Sequence, residues 1–125
     1  MTNANEFLEI LNSSLSPLVD LERTLTVHGQ GNLVVNFFNL SPERHAQQRG
    51  GGAESENNRM LFFVQGFSHD RSVPANKIKV EQSVNSIRGA KNMRAKAASP
   101  DKIALYLAKY LNETAGSVPP NLTHE

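Results

Sequence analysis

The sequence predicts an α+β domain with an interrupted N-terminal helix, about four mainly antiparallel strands and an amphipathic C-terminal helix. Three observations carry this expectation. Two runs, Asn32 to Leu40 and Arg59 to Phe67, are rich in β-branched and aromatic residues and have the composition of strands. A third run, Lys77 to Gln82, alternates cleanly, with Ile78 and Val80 on one face and Lys77, Lys79 and Glu81 on the other. From Ser99 to Gly116 the chain carries a full set of helix start and stop signals.

The front of the chain places Phe7, Leu8, Ile10 and Leu11 at helical spacing between residues 4 and 13. Ser16-Pro17 then reads as an N-cap and first-turn proline for a second short helical segment reaching about Leu25. The strands at 32–40 and 59–67 are expected to pair as a hairpin. Between them lies SPERHAQQRGGGAESENN, a long polar segment with three successive glycines, read as a flexible loop over 41–58. The stretch after Gln82 is ambiguous in period. A helix would leave Met93 off the stripe and Gly89 in its interior, so a strand from about Lys91 is favoured, with Met93, Ala95 and Ala97 inward and Arg94 and Lys96 outward.

In the last helix Ser99 is the N-cap, Pro100 takes the first helical position, Asp101 suits the positive end of the helix dipole, and Gly116 stands where a terminating glycine belongs. Ile103, Tyr106, Leu107, Tyr110 and Leu111 follow the spacing of a face packed on a sheet. At 125 residues the chain has the size of one domain, assigned to 1–115, with 116–125 an extended or disordered tail.

Composition narrows the chemistry. The chain has no cysteine, which excludes a disulfide framework, a thiolate metal site and a cysteine nucleophile. The N-terminus lacks the features of a secretory signal and no apolar run has the length of a membrane span, so a cytoplasmic chain without membrane contact is expected. His28, His45, His69 and His124 show no ligand spacing, and Ser68-His69-Asp70 reads as a polar turn, since adjacency in sequence does not make a catalytic triad. Neither enzyme activity, nor a metal, nor a cofactor is expected.

The charge distribution is the main functional signal. A net charge of +1 conceals a basic stretch from Arg71 to Lys109, where nine Lys and Arg stand against Glu81 and Asp101, behind an acidic front. Clustered cations of this kind make a local field suited to a polyanion. On the two phenylalanine-rich strands one face is wholly apolar, with Leu33, Val35 and Phe37 facing Met60, Phe62 and Val64. The other face mixes Val34, Asn36 and Phe38 with Leu61, Phe63, Gln65 and Phe67. If helices cover both faces, these rings are core; if one face stays open, Phe38, Phe63 and Phe67 form an aromatic patch beside the basic residues.

Rings beside a basic track are the equipment of single-stranded nucleic-acid binding. The first expectation is therefore a non-enzymatic nucleic-acid-binding module, single-stranded in preference and weakly sequence-specific. Lys77, Lys79, Arg88, Lys91, Arg94 and Lys96 would contact phosphates, and Phe38, Phe63 and Phe67 would stack on bases. The alternative is a protein-interaction module, such as a small adaptor, inhibitor or self-associating subunit, in which the basic stretch meets an acidic protein surface or another copy of the chain.

Overall fold

A computed structural model describes residues 1–17, 19–27, 32–39, 59–83 and 93–116. The loop expected at 41–58, the residues after Gly116, and both Arg88 and Lys91 lie outside the described residues.

The chain begins with a reciprocal cap. Asn3 Oδ1 accepts the Glu6 N–H at 2.7 Å, and the Asn3 N–H donates to Glu6 Oε1 at 2.9 Å. Two amides that a helix start leaves unpaired are thereby satisfied, and α1 (Ala4–Ser13) begins. Its buried stripe is Ala4, Phe7 and Leu11.

Here the structure departs from the sequence expectation. Ser16-Pro17 does not start a second helical segment. The Ser16 N–H donates to Asn112 Oδ1 at 2.7 Å and Asn112 Nδ2 donates to the Ser14 carbonyl at 3.0 Å, so the C-terminal helix clamps the turn and directs the chain into a strand. That strand is β1 (Val19–Val27), and β2 (Asn32–Asn39), β3 (Arg59–Gln65), β4 (Ile78–Gln82) and β5 (Lys96–Ala98) come after it. The helix α2 (Pro100–Gly116) closes the order.

The five strands form one sheet in the order β1-β2-β3-β4-β5, antiparallel at every pairing. The α+β class and the antiparallel sheet agree with the sequence expectation, with β1 added where helix was expected. Register decides which side chains share a face. Val35 pairs with Phe62, Phe37 with Met60 and Val64 with Val80. These side chains are fully buried, together with Phe7 and Leu11 of α1 and Ile103, Leu107 and Leu111 of α2. The helix α2 therefore packs on this face of the sheet, and α1 packs against α2 on the same side, its buried stripe joining the same core. Phe37 and Phe62 stack at 5.8 Å between centroids, and Tyr110 meets Phe62 edge-on at 5.8 Å.

Gly66 resets the side-chain phase at the end of β3. Its φ of +121° is a conformation that side-chain-bearing residues rarely adopt. The backbone turns there, and the period-two alternation stops. Phe67, expected on the mixed face with Phe63, is instead 4% exposed and packs at 5.5 Å against Phe7 in the core. The turn beyond is polar, as expected. Asp70 Oδ1 accepts both the Ser72 hydroxyl at 2.6 Å and the Ser72 N–H at 2.9 Å, bonds that hold its carboxyl below the usual range.

Candidate nucleic-acid interface

No described element packs on the second face of the sheet. Its central rows pair Val34 with Phe63 and Asn36 with Leu61, and on β4 Glu81 stands opposite Phe63 and Lys79 opposite Gln65. Phe63 is 40% exposed, Gln65 and Lys79 are exposed, Val34 and Leu61 are half-buried, and Asn36 is buried. An aromatic ring this exposed is unusual on a covered sheet and ordinary on a contact surface. Phe38 occupies the next row of β2, its backbone paired with Asp20 on one side and Arg59 on the other.

The basic residues gather at one end of the sheet. The strands β4 and β5 and the helix α2 are consecutive in the chain and in contact in space, so the basic stretch becomes a basic edge. Lys77 is exposed at the entrance to β4, and Lys79 is exposed on the open face with Nζ 3.1 Å from Glu81 Oε2. Arg94 is exposed just before β5, and Lys102 and Lys109 are exposed on α2.

The register of β5 reverses the expected facing of its side chains. Lys96 pairs with Val80, a core position, while Ala97 pairs with Lys79 on the open face. Met93 is buried as expected, but Ala95 and Ala97 are exposed, and Ala98, opposite Ile78, packs on the core. Lys96 accordingly lies on the helix side, with Nζ 5.3 Å from the centre of the Tyr106 ring. Because β5 ends the sheet and is three residues long, the cations on its two sides are separated by one thin strand.

Of the expected stacking residues, Phe63 stands at the surface and Phe67 does not. Two rings not assigned to the site from sequence stand near the basic edge. Tyr106 donates its hydroxyl to the Arg94 carbonyl at 3.3 Å, and Tyr110 donates to Gln82 Oε1 at 3.3 Å. Gln82 Oε1 also accepts the Met93 N–H at 2.6 Å, which fixes the orientation of the amide. Burial pushes the Tyr110 hydroxyl above its ordinary pKa, opposed by its hydrogen bonds with Thr114 and Gln82. Both tyrosines belong to the amphipathic spacing of α2, but Ile103, Leu107 and Leu111 fill its centre and leave the two rings half-buried at the margin. Their one distinguishing signal in the sequence is the hydroxyl, which needs a polar partner that a wholly apolar face does not offer.

The described residues include no cluster of His, Asp and Glu able to hold a metal ion. No helix among them is long and apolar enough to cross a membrane. Comparison with protein-family models, with curated proteins and with solved structures finds no match to this chain.

Proposed function

We propose that this protein is a non-enzymatic nucleic-acid-binding module of the cytoplasm that takes single strands in preference and reads sequence weakly. The observation that carries the proposal is the juxtaposition of a sheet face left open by both helices, bearing the exposed Phe63, with the basic edge of β4, β5 and α2. A strand crossing this edge meets Lys77 and Lys79 on the open side and Arg94 and Lys96 beyond β5. Arg88 and Lys91, on the segment joining β4 to β5, add to the same charge. Phosphates are held electrostatically and a base stacks on Phe63, with the Phe38 position two rows further along the same face.

The charge-reversal pair Arg94→Glu/Lys96→Glu tests this reading on side chains that are exposed and therefore tolerant of substitution. Affinity for a labelled single strand is expected to fall about tenfold or more at low salt, with the melting temperature nearly unchanged. Equal affinity in the pair and the wild type would overturn the assignment of these residues.

A second reading has its own observation. Val34, Leu61 and Phe63 form a partly exposed apolar group, and Lys79 on the adjacent strand is paired with Glu81. Such a surface also fits a protein partner or a second copy of the chain. A concentration-dependent mass by light scattering, with no retention of nucleic acid, would favour it.

A further inference from the structure

A groove of about 260 Å³ opens along the margin of α2, lined by Tyr106, Lys109, Tyr110 and Glu113. These residues stand at i, i+3, i+4 and i+7, so one helix face supplies two aromatic walls, a cation and a carboxylate. The volume lies below the roughly 300–1,000 Å³ of pockets for drug-sized ligands and suits a single flat ring.

The walls are held in place before anything binds. Tyr106 is tied through its hydroxyl to the Arg94 carbonyl, and Tyr110 is tied to Gln82 and braced by Phe62. Anchored rings lose little freedom when a ligand stacks on them. The groove also adjoins the basic edge, because Lys96 Nζ is 5.3 Å from the centre of Tyr106 and the tyrosine hydroxyl bonds to the backbone of Arg94.

Glu113 supplies the selectivity. A carboxylate accepts hydrogen bonds and donates none, so it pairs with an exocyclic amino group and repels a carbonyl edge. Its negative charge weakens attraction for the phosphodiester backbone, which makes it a poor component of a purely electrostatic track.

On these grounds we infer that the Tyr106–Tyr110 groove is a pocket for one unstacked nucleobase of the bound strand, selecting bases with an exocyclic amino group over thymine or uracil. The inference rests on the nucleic-acid reading above and deepens it. Tyr106 stacks on the base, Lys109 and Lys96 face the flanking phosphates, and Glu113 accepts from the amino group.

Cytosine against thymine is the cleanest comparison, since the two rings are similar in size and differ at this edge. Labelled oligo-dC and oligo-dT of equal length are titrated into the full chain. The wild type is expected to prefer oligo-dC by about fivefold. Glu113→Ala should remove the preference without weakening oligo-dT. Tyr106→Ala should weaken both oligonucleotides about tenfold, while Tyr106→Phe, which keeps the ring and loses only its tie to Arg94, should weaken them by no more than about twofold. Equal wild-type affinity for the two strands, unaffected by Glu113→Ala, would overturn the base pocket and leave the general nucleic-acid reading standing. Failure of the wild type to bind either strand would overturn both.

Discussion

Replacing Phe67 with alanine is expected to lower the free energy of unfolding by about 3–5 kcal/mol, the range for removing a buried aromatic ring. The side chain is 4% exposed and meets Phe7 at 5.5 Å, so the substitution empties the space beneath α1 and weakens the seat of the N-terminal helix. A typical domain has only about 5–15 kcal/mol in total, and a loss of this size removes a large share of it. Phe63→Ala makes the contrast. Its ring is 40% exposed on the open face, and its removal is expected to change stability by less than about 1 kcal/mol while weakening oligonucleotide binding. Chemical denaturation followed by circular dichroism measures both effects. A Phe67→Ala protein as stable as the wild type would contradict the placement of this ring in the core.

Gly66→Ala is the second large effect. At a φ of +121° an alanine is strained whatever room surrounds it, and a Cβ built there would lie 2.9 Å from the Lys77 carbonyl oxygen and 3.0 Å from Ile78 Cα. Both neighbours are backbone at the start of β4, so relief requires β3 and β4 to move apart. A destabilisation of at least about 2 kcal/mol is expected, which for a chain of this size lowers the melting temperature by roughly 8 °C. Gln65→Ala, one residue earlier and exposed, should remain within about 0.5 kcal/mol of the wild type. Thermal melts of the two variants side by side would test the requirement for glycine. A Gly66→Ala protein melting with Gln65→Ala would show that the close approach to Lys77 and Ile78 is absent.

These two residues also explain where sequence pattern stops being informative. The alternation of Leu33, Val35 and Phe37 against Met60, Phe62 and Val64 identified the buried face because each such strand buries large apolar groups at every second residue. Extended through Gly66, the same period put Phe67 on the wrong side, since one glycine at positive φ turns the chain without altering the hydrophobic pattern. A bulge between Leu21 and Arg23 had a similar effect on β1. It breaks the alternation after Val19 and Leu21, and the resulting spacing of Leu18, Leu21 and Leu25 imitates a helix. The clamp by Asn112, almost a hundred residues away in sequence, has no local signal at all.

The candidate site was partly legible for a related reason. Charge clustering survived folding because β4, β5 and α2 are neighbours in both sequence and space. The facing of Lys96 did not, because alternation between lysine and alanine contains too little apolar area to mark a buried side. Pairing with β4 sets that register, placing Lys96 on the helix side beside Tyr106 and Ala97 on the open face. The tyrosines share the spacing of Ile103, Leu107 and Leu111, which by itself predicts a place in the core.

We propose that the basic edge and the second sheet face bind single-stranded nucleic acid. The most direct measurement is fluorescence anisotropy of the wild-type chain with a labelled single strand and a matched duplex, each titrated at low and high salt. Tighter binding of the single strand is expected, with an affinity that falls steeply as salt rises and a slope set by the number of phosphates neutralised. No binding at low salt, or binding indifferent to salt, would contradict it.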